Sequence, residues 1–218
     1  MLLATVLDLD ETLADSAATW QHVFQTVAAR HGATWTHSDW TAIQGTSTHN
    51  WSTYLAHRCR NLTPVQAETE CVDDMVTAIH NGTFGLLPGA ADLVATAAEL
   101  GPTAVVSASP HRYVQAAVTT FGLATHLRAT ITGDDVVHGK PAPDPYLLAA
   151  KHLGVAPAQC VAVEDSTSGI RSAHAAGMTV LAIPNATTAR DTEVLRLADH
   201  QAPDAHIAAK TLLALLAG

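Results

Sequence analysis

The sequence predicts an α/β protein: a doubly wound parallel sheet, interrupted after its first strand by an inserted bundle of helices. Two observations carry that prediction. Five short apolar runs rich in β-branched residues recur at 4–7, 103–106, 129–132, 160–163 and 179–183. After the first connection, one helix-sized segment separates each from the next, which is the spacing of βα units and a parallel sheet. Between 16 and 87 that rhythm stops, and the sequence offers only helical segments.

The elements follow in order. The first strand, 4–7, runs directly into Asp8. A helix over 17–31 ends at Gly32, and another over 47–59 follows the turn at Gln44-Gly45. The next opens on Thr63-Pro64-Val65-Gln66, with Thr as N-cap, Pro at the first helical position and Gln three residues after the cap. Val72, Met75, Val76 and Ile79 then line one face at helical spacing. Pro88-Gly89 opens a helix that runs to Leu100 and stops at Gly101. Pro110 opens one that ends near Gly122, and Pro143-Asp144 starts one that ends at Gly154. An amphipathic helix over 208–216 closes the chain. The expected division is a Rossmann-like core of 1–15 and 88–218, with a helical cap domain of 16–87 placed over the strand ends.

Composition sets outer limits. At 218 residues, 48 % of them apolar and 14 % charged, the chain can bury one large core with a smaller insertion. A formal charge of −9 argues against nucleic acid or an anionic membrane as partner. Cys59, Cys71 and Cys160 lack metal-ligand spacing and read as reduced thiols. Residues 1–7 are too short for a secretory core, and no run approaches a membrane span. A cytoplasmic protein is expected, its oligomeric state left open. Most of the thirteen histidines read as solvated or helix-end residues.

The chemistry sits at the strand ends. Asp8-Leu9-Asp10-Glu11-Thr12-Leu13 places two carboxylates two residues apart at the end of a buried strand, where an uncompensated charge is expensive. The second strand runs into Ser107-Ala108-Ser109. Gly139-Lys140-Pro141 follows the third, and the fourth runs into Glu164-Asp165-Ser166. Each has an ordinary structural explanation, as a helix cap, a loop serine or a solvated lysine. Together those explanations leave several carboxylates crowded without a purpose. In a doubly wound sheet ligands sit outside the carboxyl ends of the strands, so these groups should converge. A divalent cation resolves the crowding, and hard oxygen ligands with a phosphate suit Mg²⁺.

These four segments, in this order, closely resemble the motifs of the haloacid dehalogenase-type phosphatases and phosphomutases, over essentially the whole chain. The insertion is similar to that of the β-phosphoglucomutase-like subgroup with a helical cap. The resemblance implies that Asp8 is the nucleophile, forming an aspartyl-phosphate. It implies that Asp10 protonates the leaving alcohol and then deprotonates the hydrolytic water. Ser107, Lys140 and backbone amides of Leu9, Asp10 and Ala108 would bind the phosphoryl group. Asp8, the Asp10 carbonyl and Asp165 would hold the metal, with Glu164 close or acting through water. Thr12 would orient Asp10, and Ser166 or Asp144 would support the site from behind. Glu11 departs from the pattern, since glycine is more usual there, and its side chain is expected to turn outward.

Asp10 argues against a dehalogenase, and a cap without lysine argues against a phosphonate-cleaving enzyme. A mutase would need a cap arginine just after the Gly45-Thr46-Ser47 turn, where Thr48 stands, and a histidine where Trp20 stands. The reading is therefore a Mg²⁺-dependent phosphomonoester hydrolase acting on a small phosphate ester, a sugar phosphate or nucleoside monophosphate. Substrate choice is expected from Trp20, Gln44, Gly45, Thr46 and Ser47, with His22, His49, Asn50 and Trp51 as further candidates. A sugar phosphomutase would differ in that its product keeps the phosphate. A non-catalytic binding module of the same fold would turn over nothing.

Overall fold

A computed structural model describes residues 1–216. Its strands are β1 (Ala4–Asp8), β2 (Thr103–Val106), β3 (Ala129–Ile131), β4 (Cys160–Glu164), β5 (Thr179–Ala182) and β6 (His200–Gln201). All are parallel, in the order β3-β2-β1-β4-β5-β6. Four helices lie between β1 and β2 ahead of the crossover: α1 (Ala17–Arg30), α2 (His37–Ile43), α3 (Thr48–Arg58) and α4 (Pro64–His80). The crossover helix is α5 (Ala90–Leu100), followed by α6 (His111–Thr120), α7 (Asp144–Leu153), α8 (Thr167–Ala175), α9 (Thr192–Leu195) and α10 (Ala205–Leu216). The five expected strands all form, each end within one residue of its apolar run. Three elements were not foreseen, α2, α9 and β6, all too short for a periodic pattern to emerge.

Strand side chains alternate between two apolar clusters. Leu7, Val105, Val161, Val163 and Leu181 face α5, α6 and α10. Val6, Ala104, Val106, Ala162, Val180 and Ala182 face α7, α8 and α9. Helices cover both faces, which is why the strands read as unbroken apolar runs rather than alternating ones.

The first cluster does not stop at the sheet. It continues through Leu9, Leu13, Ala14 and Tyr113 into Trp20, Val23, Phe24, Trp51 and Met75 of the inserted helices. An Arg112–Asp73 ion pair joins α6 to α4 at the surface. The two connecting segments run side by side: the Asp15 amide donates to the Gly85 carbonyl at 3.0 Å, and that of Leu87 to Leu13 at 2.8 Å.

Within the insertion, Asp39 ties α2 to α3. Its carboxylate accepts the Thr36 amide at 2.8 Å, the Thr36 hydroxyl at 2.6 Å and the Tyr54 hydroxyl at 2.9 Å, and pairs with Arg58 Nε at 2.8 Å. Burial pushes this carboxyl up, but Thr36, Tyr54 and Arg58 outweigh it and hold the group at about 2. Cys71 and Cys160 are buried and Cys59 is partly buried, and the three are unpaired with one another. No helix among the described residues is long and apolar enough to cross a membrane.

Candidate active site

The chain leaves β1 for β2 and β3 on one side, then returns to lay β4 on the other side. The crevice at that reversal is where an open α/β sheet places its ligands. Leu7 pairs in register with Val105 and Val163, and Asp8 with Val106. Asp8, Ser107 and Glu164 therefore emerge side by side at the carboxyl edge.

Lys140 comes to the same point from the loop after β3. Its ammonium lies 2.6 Å from Asp8 Oδ1, 2.6 Å from Glu164 Oε1 and 3.2 Å from the Val106 carbonyl. Glu164 is fully engaged. Oε1 also accepts the Tyr146 hydroxyl at 2.8 Å, and Oε2 accepts the amides of Asp165 and Ser166 and the Ser166 hydroxyl, each at 3.0 Å. A Cβ added at Gly169 would lie 1.6 Å from Glu164 Oε1, so only glycine lets α8 pass over this carboxylate.

Asp165 accepts the Thr12 hydroxyl at 3.2 Å on one oxygen and the Asn185 amide nitrogen at 2.7 Å on the other. One oxygen each of Asp8, Glu164 and Asp165 lie within 4.8 Å of one another. Three buried carboxylates thus face one ammonium, leaving two formal negative charges uncompensated. Burial raises the Asp8 carboxyl to about 7 against the pull of Lys140, with Glu164 adding to the rise. Burial, then Asp8 and Glu164, push Asp165 well up as well. The donor set is all oxygen, and it is short of positive charge by about what one divalent cation carries, so these residues fit a hard dication.

Asp10 stands apart from this cluster and is ringed by donors. Ser16 Oγ at 2.7 Å, Tyr113 OH at 2.6 Å and Trp20 Nε1 at 3.4 Å reach Oδ1. Ser109 Oγ at 2.9 Å and Ser107 Oγ at 3.3 Å reach Oδ2.

Above these groups lies a cavity of about 490 Å³. Trp20, Phe24, Trp40, Ile43 and Trp51 form an apolar roof, and Gln44, Gly45 and Thr46 close one end. Thr167, Ser168 and Arg171 of α8, with Asn185, Thr187 and Thr188 after β5, give the cavity a polar side, and Ser168 lies next to Gly45. Ser168 and Arg171 are three residues apart, hence on one face of α8.

Most predicted residues meet here. Asp8, Asp10, Ser107, Ala108, Lys140 and Asp165 line the cavity, as do Trp20, Gln44, Gly45 and Thr46. Leu9 is buried in the core cluster, so only its backbone can serve the site. Ser47 does not line this cavity. It caps α3, accepting the Asn50 amide at 3.3 Å, and borders a smaller cleft with Thr48 and His49. Thr12 turns to Asp165 instead of Asp10, because Ser16, Trp20 and Tyr113 already occupy Asp10 from that side. Asp144 pairs with His138 at the surface, away from the site.

Glu11 adopts φ 63°, the left-handed backbone that makes glycine usual there. Its carboxylate accepts the amides of Ser16 at 3.0 Å and Ala17 at 2.8 Å, capping α1 while the Ser16 hydroxyl is spent on Asp10. The side chain does not turn out to solvent as expected: it stays half-buried at the edge of the cavity, held by the first amides of α1. The sequence reading missed Tyr113, Asn185, Tyr146 and Arg171. Asn185 follows β5 by three residues and was findable by extending the strand-end rule one strand further. Tyr113 carried no such signal.

Comparison with known proteins agrees with this geometry. Residues 3–177 match the family model of the haloacid dehalogenase-like hydrolases. Protein CbbY of Rhodobacter capsulatus is 32 % identical over 95 % of this chain and 96 % of its own length. Fructose-1-phosphate phosphatase YqaB of Escherichia coli is 30 % identical over 79 % of this chain and 92 % of its own. The crystal structure of CbbY from Rhodobacter sphaeroides in complex with phosphate superposes with a TM-score of 0.84 at 27 % identity, covering 94 % of this chain and 96 % of that one. The chain belongs to the haloacid dehalogenase-like hydrolase family and is a phosphatase of that family.

Proposed function

We propose that this member of the haloacid dehalogenase-like hydrolases is a Mg²⁺-dependent phosphomonoester hydrolase that works through an aspartyl-phosphate on a phosphorylated sugar or polyol. The observation that carries the reading is the meeting of Asp8, Lys140, Ser107 and Asp165 at adjacent strand ends beneath one cavity. The core of 1–15 and 88–218 supplies the chemistry, and the cap of 16–87 supplies the choice of substrate.

Asp8 attacks phosphorus in line while the ester oxygen departs with the bonding pair and takes a proton from Asp10. Water then attacks the aspartyl-phosphate, Asp10 removes its proton, and Asp8 is released. Lys140 and Ser107, with backbone amides of Leu9, Asp10 and Ala108, offset the charge that spreads over the phosphoryl oxygens. Mg²⁺ would be held by Asp8, Asp165 and the Asp10 carbonyl. Glu164, saturated by its own donors, would reach it only through water while anchoring Lys140. Bound there, the ion supplies positive charge for the phosphoryl oxygens and keeps Asp8 ionised.

The cavity speaks for the substrate class. Aromatic rings on the cap side, with hydroxyl, amide and guanidinium groups lining the same cavity, suit a polyhydroxylated carbon frame, with apolar C–H faces against the indoles and its hydroxyls toward Ser168, Asn185, Thr187 and Arg171. The fructose-1-phosphate phosphatase among the relatives points the same way.

The test is phosphate release from sugar phosphates, nucleoside monophosphates and phosphoglycolate, with Mg²⁺ and with chelator. β-Glucose 1-phosphate is scored separately for glucose 6-phosphate. Mg²⁺-dependent release from sugar phosphates is expected. Isomerised product without free phosphate would mean a mutase instead.

A further inference from the structure

Tyr113 lies behind Asp10, outside the cavity lining, and is wholly buried. It sits in the first turn of α6, on the face shared with Val114, Ala117 and Val118, so helix phase drives its ring into the core. The ring edge meets Trp20 at 5.0 Å between centroids, and the hydroxyl ends 2.6 Å from Asp10 Oδ1. Ser16 and Trp20 crowd the same oxygen.

A carboxylate offers about two lone pairs per oxygen. Oδ1 is therefore fully subscribed, and one of its donors, the Trp20 indole, can never accept a proton in return. Oδ2 faces only the hydroxyls of Ser107 and Ser109, which rotate and can donate or accept. Oδ2 is also the oxygen on the Ser107 side, where the phosphoryl group is to sit.

We infer that Tyr113 is a positioning residue that pins Asp10 by Oδ1, leaving Oδ2 as the one oxygen that exchanges protons with the leaving group and the water. The inference rests on the acid–base reading of Asp10. The step it governs is simple. As the bond from Asp8 to phosphorus forms and the ester bond breaks, its electron pair stays on the ester oxygen, and the proton on Oδ2 moves to that oxygen. Without Tyr113, the carboxyl can rotate about its Cβ–Cγ bond and presents the proton in the wrong direction for part of the time.

The experiment compares leaving groups in the full-length protein with Mg²⁺. p-Nitrophenolate departs without a proton, whereas an alkoxide does not. For Tyr113→Phe, kcat on the most active sugar phosphate of the panel should fall about 10- to 50-fold with KM within about twofold, a fraction of the 10²–10⁴ that general acid–base catalysis supplies. First-turnover release of p-nitrophenolate should change by less than about threefold, since that step needs no acid. Ser16→Ala, which removes the other short donor to Oδ1 and keeps the Tyr113 side chain, should show the same split with a smaller loss. Equal losses on both substrates, or no loss, in variants whose melting temperature matches the wild type, would overturn the inference.

Asp10→Asn separates the two readings. If it discriminates between the leaving groups and Tyr113→Phe does not, the role of Tyr113 alone fails. If Asp10→Asn treats both leaving groups alike, the acid–base reading of Asp10 fails first. If the wild type turns over neither substrate, the phosphatase reading falls and the inference with it.

Discussion

The floor and the roof of the cavity are built by different rules. The floor is the carboxyl edge of a parallel sheet, where register places the end of one strand beside the end of the next. Its side chains are small in number, buried and mutually saturated: Lys140 spans Asp8 and Glu164, and Glu164 is bonded to five donors in turn. The roof is a layer of indoles and a phenyl ring, Trp20, Phe24, Trp40 and Trp51, held by helix packing and by ring contacts of 5.3 to 6.1 Å. A floor of that kind leaves little room for a change of size. A roof of that kind can exchange one shape for another. On the proposed reading, chemistry belongs to the floor and selectivity to the roof, and the two layers meet where the Trp20 indole donates to Asp10.

The largest expected effect is at the floor. Asp8→Asn should lower phosphate release by about 10⁴-fold or more, because the amide is no nucleophile. Melting without Mg²⁺ should be unchanged or higher, since one uncompensated buried carboxylate is gone. The rise in melting temperature that Mg²⁺ brings to the wild type through binding the folded state should shrink. Substantial residual turnover would remove the covalent mechanism. Mg²⁺ stabilising both proteins equally would move the cation away from Asp8.

Next comes a test of how tightly the floor is locked. Gly169→Ala puts a methyl group where Glu164 Oε1 lies. Either α8 shifts or Glu164 leaves Lys140, and overpacking of this kind typically costs about 1–3 kcal/mol. Thermal and urea unfolding should show a loss near the upper end of that range, with activity falling alongside. Wild-type stability in this variant would mean that the floor gives more readily than its hydrogen bonding implies.

The same contrast explains what could be read from the sequence. Strand ends are legible because an apolar run followed by a polar residue marks both the strand and the edge it reaches. Asp8, Ser107, Glu164 and Asp165 were all placed by that rule, Lys140 by the Gly139-Lys140-Pro141 turn in the loop after β3, and Asn185 obeys the same rule one strand further. Orientation at the edge was less legible. Thr12 could serve either neighbouring carboxylate, and only the three-dimensional crowding of Asp10 sends it to Asp165. In the roof, a residue's role depends on helix phase and on which turn meets the core. Trp20 reaches the cavity, while Ser47, one residue past Thr46, is consumed as an N-cap. Helix α2 was missed although Thr36 and Asp39 form a capping box, because seven residues show no period. Tyr113 was invisible for a deeper reason: its hydroxyl matters only through Asp10, a hundred residues away in the chain.

A third test works on the roof alone. Trp40→Ala removes one apolar wall of the cavity without touching any group that bonds to the floor. KM for sugar phosphates should rise about tenfold, the loss expected when an aromatic contact worth roughly 1–1.5 kcal/mol disappears. Turnover of p-nitrophenyl phosphate at saturation should stay within about threefold of wild type if the floor is intact. A fall in kcat on both substrates would show that the roof takes part in the chemistry, by admitting water or by displacing Asp10.

The smallest expected effect separates the stability of the roof from that of the floor by pH. Asp39 is buried in the cap, and its carboxyl is held at about 2, below its usual 3.8. A depressed folded-state value means that the stabilisation is complete above the unfolded value and fades as pH falls through the folded one. Asp39→Asn should therefore lower stability by about 1–2 kcal/mol at pH 7, the range of a lost capping carboxylate and its ion pair. The difference from wild type should narrow below about pH 4 and largely vanish near pH 2. Burial raises Asp8 to about 7 and pushes Asp165 well up without metal, so acid relieves the floor at higher pH, between about 7 and 4 for Asp8, before it weakens the roof. Urea melts of both proteins at pH 7, 4 and 2.5 would resolve this. A difference that stays constant with pH would mean that the contribution of Asp39 is packing rather than charge, and that the α2–α3 join would survive its protonation.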